Sequence, residues 1–316
     1  MTGLVTFGET MLRYAPPRGK RFENADAFAV HVGGAESNVA VAAARLGCEA
    51  TWLSKLPDTP FGRRVERTLR GQGVTPEVAW ADEGRLGVYY LEPGADPRGA
   101  SVHYDRADAA VRTATPDELA TDRLADADAV CTTGITPALS GTLADTTRSL
   151  LETAREAGAT TAFDANYRSK LWEPDEARET LTDLLGLVDV LFVAERDAAT
   201  VFDRTGDAET VGRAFRDAYG HEAVVVTRGA EGAVAVTDDG VHEQPAFDTE
   251  TVDPVGSGDA FVGGYLARWL DDGDVPRALA YGAATAAVKR TLDGDMALVS
   301  RPEVEAVLSG DARISR

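Results

Sequence analysis

The sequence predicts an α/β protein: a doubly wound, mostly parallel sheet with helices on both faces, carrying a small β subdomain. Three observations predict it. Short β-branched apolar runs alternate with helix-period segments over roughly two hundred residues, the pattern of parallel strands joined by crossover helices. That rhythm breaks between Leu86 and Arg106, where V-Y-Y-L-E and S-V-H-Y-D-R alternate like half-exposed strands around the loop E-P-G-A-D-P-R-G. The 316 residues, of ordinary apolar fraction, suffice for a large core, read here as one domain over 1–316.

The elements follow in order. G-L-V-T-F-G at 3–8 is a first strand, and short strands follow near 11–15 and 27–32. These two, with 86–106, make up the β subdomain, which is expected to act as a lid formed by about 11–32 and 86–106. G-G-A-E-S-N at 33–38 opens a helix whose Val39, Ala42, Ala43 and Leu46 share a face, and Gly47 ends it. A strand at 50–55 and a helix at 61–72 come next. After the insertion the alternation resumes with strands 128–133, 160–164 and 189–193 and helices 141–157, 175–185 and 195–203. A helix at 207–219, strands at 223–227 and 232–237, and helices at 257–271 and 275–291 complete the reading. Ligands of such sheets gather at the C-terminal strand ends, which points to Gly8-Glu9, Asp164–Arg168, Thr227–Gly232 and Asp253–Asp259.

Charge narrows the function classes. The net charge is −20, from 52 acidic and 32 basic residues, and only Lys20, Lys55, Lys170 and Lys289 are lysines. A surface this acidic argues against general nucleic-acid or acidic-membrane binding and suits a high-salt cytoplasm, where screening suppresses self-repulsion. The apolar runs are too short for a membrane span. The start, M-T-G-L-V-T-F-G-E, enters a strand with no basic region or cleavage site, so a cytoplasmic protein is expected. Cys48 and Cys131 sit in apolar stretches and read as buried thiols, while the four histidines are dispersed and form no metal-type cluster.

The stretch richest in chemistry is V-D-P-V-G-S-G-D-A at 252–260, where a glycine-rich turn runs into a helix carrying Phe261, Tyr265, Leu266 and Trp269 at helical spacing. A helix N-terminus offers backbone N–H groups and a positive dipole end, which attract anions. Asp259 in that first turn is either a helix-stabilising charge or, beside a phosphate, a base for an attacking hydroxyl. Asp164, Asn166 and Arg168 in F-D-A-N-Y-R either cap the next helix or bring a guanidinium to a carboxylate or phosphate. T-R-G-A-E-G at 227–232 is a glycine turn or a ledge for a nucleotide. Tyr89, Tyr104 and Arg106 on the insertion are packing residues or donors to an acidic, hydroxylated ligand. G-G-A-E-S-N is a helix cap or a place where backbone approaches a sugar; no G-K-[ST] follows, so it is not a Walker A loop.

Together G-G-A-E-S-N-V-A at 33–40 and D-P-V-G-S-G-D at 253–259 resemble the two marks of the ribokinase (PfkB) family of carbohydrate kinases, over essentially the whole chain. Within that family, F-D-A-N-Y-R-S-K-L-W at 163–172 and Y-D-R at 104–106 are most similar to the 2-keto-3-deoxygluconate kinases. The resemblance implies a ribokinase-like fold and transfer of a phosphoryl group from ATP, with Mg²⁺, to the terminal hydroxyl of 2-keto-3-deoxygluconate or its galactonate-derived epimer. It implies Asp259 as general base and Gly256, Ser257 and Gly258 as the anion hole. Gly34, Tyr89, Tyr104, Arg106 and Arg168 would hold the keto acid, Asn38 would bind sugar hydroxyls, and Asp295 in G-D-M would lie near the substrate. Thr227, Gly229 and Gly232 would line the ATP site, with Ala283 and Ala286 flanking adenine. The β lid would exclude water and, through its edges, join copies into a homo-oligomer.

Two departures qualify this. The family's N-x-x-E, linked to Mg²⁺ through water, falls at Ala194–Asp197, leaving the metal ligands unassigned. Pro254 and Val255 replace frequent threonines, which leaves a monovalent-cation site near Asp253 undecided. The competing readings are a fructokinase or ketohexokinase of the same family, a sugar-binding regulator that has lost catalysis, and an oxidoreductase. The intact G-S-G-D opposes the second, and the absence of G-x-G-x-x-G after the first strand opposes the third.

Overall fold

The computed structural model describes residues 3–94 and 97–311, so Ala95 and Asp96 of the loop read above, and the extreme ends of the 1–316 span, lie outside the described residues. The strands are β1 (Gly3–Phe7), β2 (Met11–Ala15), β3 (Ala29–Gly33), β4 (Glu49–Pro57), β5 (Val74–Ala81), β6 (Val88–Glu92) and β7 (Ser101–Asp105) in the first third. They continue with β8 (Ala129–Thr133), β9 (Thr160–Asp164), β10 (Val190–Ala194), β11 (Ala223–Thr227), β12 (Ala233–Thr237) and β13 (Gly240–Gln244). The helices are α1 (Ala35–Arg45), α2 (Pro60–Gly71), α3 (Gly141–Glu156), α4 (Pro174–Leu185) and α5 (Glu195–Phe202). α6 (Ala208–Tyr219), α7 (Ser257–Asp272), α8 (Val275–Arg290) and α9 (Arg301–Ser309) follow.

Two sheets organise them. The large one has nine strands in the order β13-β12-β11-β10-β9-β8-β1-β4-β5. Its strands pair in parallel from β11 to β5, and only the β11–β12 and β12–β13 pairings, at one edge, are antiparallel. The small sheet has the order β3-β2-β6-β7, with Tyr89 of β6 opposite Tyr104 of β7.

The parallel strands are buried on both faces, which explains their unbroken apolar runs: β8 and β11 carry A-V-C-T-T and A-V-V-V-T. One face packs on α1, α7 and α8, where Phe192 meets Tyr265 and Phe261 edge-to-face at ring distances of 5.1 and 6.5 Å. The other packs on α4, α5 and α6 through Leu181, Val201 and Phe215.

Three elements had no clear sequence signal. β5 carries Pro76 and Glu77 inside an otherwise strand-like run, a composition tolerated because β5 is an edge strand. β13 is short, half-exposed and polar, and its pairing with β12 makes it a strand. α9 buries only Val304 and docks its cap residue Ser300 through a capping box with Glu303.

Candidate active site

Helix α7 begins where three features coincide. Gly256 is its N-cap with φ 78°, and a Cβ there would overlap the carbonyl oxygen of Asp295, so glycine is required twice over. Ser257 turns its hydroxyl back onto the Pro254 carbonyl at 2.7 Å. No side chain caps α7, whereas Thr59, Ser140, Asp207 and Asp274 cap α2, α3, α6 and α8. The Ser257 amide donates to the Pro254 carbonyl at 3.2 Å, which leaves the Gly258 and Asp259 amides for an outside anion. Nothing lies within 4 Å of the position a Gly258 Cβ would take, so a ligand has room to reach the backbone.

This helix end is the wall between two clefts. The first, of about 440 Å³, opens between the large sheet's C-terminal strand ends and the small sheet. It is lined by Gly34, Asn38, Tyr89, Tyr104, Arg106, Arg168, Asp259 and Asp295. The second, of about 410 Å³, is lined by Thr227, Gly229, Gly232, Phe261, Ala283 and Ala286. Ser257 and Gly258 belong to both, as do Thr227 and Pro254, while Gly256 faces the first. Every residue to which the family resemblance assigned a binding or catalytic role therefore lines one cleft or the other, whereas Gly8 and Asp253 line neither.

Asp259 is buried in the first cleft and accepts a 2.7 Å hydrogen bond from Asn38 Nδ2. Burial raises its pKa above the ordinary carboxylate range; the Asn38 bond and the Arg168 charge oppose that rise, and Asp295 adds to it. Asn38, expected to meet sugar hydroxyls, is thus the residue that orients Asp259. Arg168 is half-buried on the cleft wall. Among the described residues it has no ion-pair partner, and its charge is felt by Asp164, Asp197 and Asp259. A guanidinium so placed is available to an incoming anion.

Other expected ligands are already engaged. Arg106 pairs with Glu9 and lies 5.4 Å from the Tyr104 ring centroid, while the Tyr89 and Tyr104 rings sit 5.8 Å apart. The Asp295 carboxylate accepts from the Tyr89 hydroxyl and lies 3.2 Å from Arg13 Nε. Gly33 and Gly34 serve close packing: a Cβ at Gly34 would overlap the Glu9 carbonyl, and one at Gly33 would crowd the Asp295 carboxylate.

Several residues in and beneath the site carry no chemical signal in the sequence, or one short of the role their surroundings give them. Glu36 is buried beneath the site, its Oε1 accepting from Thr133 and Thr136 hydroxyls at 2.7 Å each. Burial pushes its pKa up to about 7, against those two hydrogen bonds. Gly8 permits this, because a Cβ there would overlap the Glu36 side chain. Asp164 is likewise pushed up to about 7, by burial first and then by the charges of Asp259 and Asp197. Arg13 is fully buried, although an arginine in a short strand gives no sign of that. At the position of the family's N-x-x-E, Ala194 caps α5 without a side-chain bond, and Asp197 accepts from the Tyr167 amide and from Arg196 Nε.

With this geometry in hand, comparison with known proteins is direct. The sequence pattern described as "pfkB family carbohydrate kinase" matches residues 1–301. The chain belongs to the pfkB family of carbohydrate kinases. It is 58% identical to the 2-dehydro-3-deoxygalactonokinase of Haloferax volcanii over 314 residues, 99% of each chain. It is 33% identical to the 2-dehydro-3-deoxygluconokinase of Thermoproteus tenax, over 98% of this chain and 94% of that one. Its structure superposes on that of the 2-dehydro-3-deoxygluconokinase from Thermotoga maritima with a TM-score of 0.91, at 31% identity and covering 98% of each. This pfkB chain is a carbohydrate kinase on a ribokinase-like α/β fold, and its Haloferax relative is consistent with the high-salt reading of its charge. No described helix is long and apolar enough to cross a membrane.

Proposed function

We propose that this pfkB kinase transfers the terminal phosphoryl group of ATP to the terminal hydroxyl of a six-carbon 2-keto-3-deoxy sugar acid. The galactonate-derived epimer is the preferred substrate and the gluconate-derived one the second. The observation that carries the reading is the meeting of two clefts at the uncapped start of α7, with Asp259 on one side and alanines on the other. The epimer preference rests on the 58% relative, named for galactonate, against 33% for the gluconate-named one.

Phosphoryl transfer asks for in-line positioning and charge stabilisation more than covalent chemistry. The sugar acid lies in the first cleft, its carboxylate on Arg168 and its far hydroxyl on Asp259. Asn38 fixes one Asp259 oxygen and leaves the other to take the hydroxyl proton. The amides that open α7 receive the phosphate oxygens as charge moves between clefts. Nucleotide packs against Ala283, Ala286 and Phe261, where small side chains leave room for a flat base. The small sheet, bearing Tyr89 and Tyr104, closes over the acceptor and keeps water out.

Asp164 and Asp197 fit an Mg²⁺ ion accompanying the nucleotide. Asp164 is half-buried and Asp197 buried; burial raises both pKa values, and Asp197 already has Arg196 as an ion-pair partner at 3.2 Å. Mg²⁺ keeps several waters and meets one or two carboxylates plus phosphate, and both carboxylates line the first cleft. Bound there, the ion would offset negative charge on the phosphate oxygens.

Initial rates with the two keto-deoxy acids and with fructose, in molar salt, test the substrate. A clear preference for fructose sinks this reading in favour of a fructokinase. Replacing Asp259 by Asn is expected to lower kcat by about 100- to 10,000-fold with little change in sugar affinity. Near-normal turnover would remove Asp259 as the base. The reading also places the enzyme in the cytoplasm and pairs exposed β7 edges of two copies; a monomer mass by light scattering in molar salt rules out that pairing.

A further inference from the structure

A lysine that the sequence reading left without a role is fully buried beside the α7 loop. Lys289, in the last turn of α8, has no solvent exposure and donates through Nζ to the Asp253 carbonyl at 2.9 Å. The same helix end holds the loop a second time, since the Arg290 carbonyl accepts from the Val252 and Asp253 amides at 2.7 and 3.1 Å. An ammonium removed from water is costly unless it is needed and matched. Burial lowers the Lys289 pKa; charge from Asp253, Asp295 and Asp259 opposes that fall, and Arg13 adds to it.

The pfkB resemblance raised a monovalent cation near Asp253, and the residues there do not fit one. Such an ion needs oxygen ligands with free lone pairs. Asp253 Oδ2 already accepts from Arg13 at 2.9 Å and from the Gly294 amide at 3.2 Å. Its Oδ1 accepts from the Val255 amide at 3.0 Å and its carbonyl from Lys289, which leaves at most one lone pair on each and sets an ammonium where an ion would sit. Arg13 also meets Asp295, whose backbone carbonyl packs against Gly256. The positive charge that a bound ion would bring is present twice, on Arg13 from the small sheet and on Lys289 from α8.

We propose that Lys289 is a built-in monovalent cation: with Arg13 it fixes Asp253 and positions loop 253–258, so that the kinase needs no potassium or sodium ion at this place. Lys289 touches no substrate; it is a positioning residue for the amides of α7. The proposal rests on loop 253–258 being the anion site.

The test is a titration of KCl, and separately NaCl, into enzyme held at constant molarity with tetramethylammonium chloride, a cation too large for the site. Wild type is expected to change in initial rate by less than about threefold, with no saturable rise in melting temperature. A saturable rise of about threefold or more in rate, or a saturable gain in melting temperature at millimolar ion, overturns the proposal. Lys289→Met keeps the apolar stem and removes the charge. It is expected to lower kcat about tenfold or more while the sugar KM stays within about threefold. A merely structural lysine would lower the melting temperature and leave kcat of the folded enzyme unchanged, and that result also overturns it. Should Lys289→Met fail to fold, the wild-type titration decides alone. If the anion-site reading itself fails, Asp259→Asn stays active; if only the built-in cation fails, Asp259→Asn is inactive and wild type needs the ion.

Discussion

The two clefts flanking the start of α7 are nearly equal in size and opposite in chemistry. The cleft proposed for the acceptor is walled by six carboxylates, Glu9, Glu36, Asp164, Asp197, Asp259 and Asp295, with Arg106, Arg168 and Arg196 among them. The cleft proposed for the nucleotide has Arg290 as its one charged lining residue among the described residues, and is otherwise small or apolar. On the proposed function, that difference separates two kinds of work. Binding a flat base needs shape and little charge, whereas moving a proton and a phosphoryl group needs carboxylates held away from water, with their pKa values raised. The helix end between them touches both and carries no charged side chain of its own before Asp259.

That contrast can be broken most completely at the shared wall. Gly256→Ala would force a side chain onto positive φ and into the Asp295 carbonyl. A stability loss of about 1–3 kcal/mol and a kcat fall of at least about tenfold are expected from thermal melts and initial rates. Unchanged kcat would mean that the turn does not aim the amides. A narrower effect is expected from Ala283→Phe, which fills the apolar cleft alone. Overpacking strain of about 1–3 kcal/mol should raise the KM for nucleotide about tenfold and leave the sugar KM unaltered. Equal effects on both substrates would show that the clefts are not independent.

The smallest change sharpens the acidic side. Glu36 has its pKa raised from 4.5 to about 7 by burial, so the native state holds a proton that the unfolded chain gives up more readily. Stability from this group is full below about pH 4.5 and is lost as pH rises through about 7, a ceiling of about 3 kcal/mol. Glu36→Gln should therefore raise the melting temperature at pH 8 by about 2–4 °C and change it little at pH 4. A destabilised variant at pH 8 would show that the carboxylate is needed charged.

The legibility of the site divides along similar lines. G-S-G-D announces itself because a left-handed glycine and an uncapped helix start are local needs, written in consecutive residues. The alternation of strands and helices is equally local, and β5 and β13 escaped it because edge strands tolerate Pro and polar residues. Asn38 could be read as polar at a helix start, but its partner Asp259 lies 221 residues away.

The α/β class, the position of α7 and the acid in its first turn are written locally, because backbone propensity and hydrophobic period act over a few residues. The chain's strong acidity is set by composition alone, since charge is a sum. Only the tertiary structure decided that Arg13 and Lys289 are interior charges, that Asp295 and Arg106 are already partnered, and that Glu36 is held near neutrality. Burial and ion pairing are set by residues brought together from distant parts of the chain, and no local pattern records which of two identical side chains will lose its water.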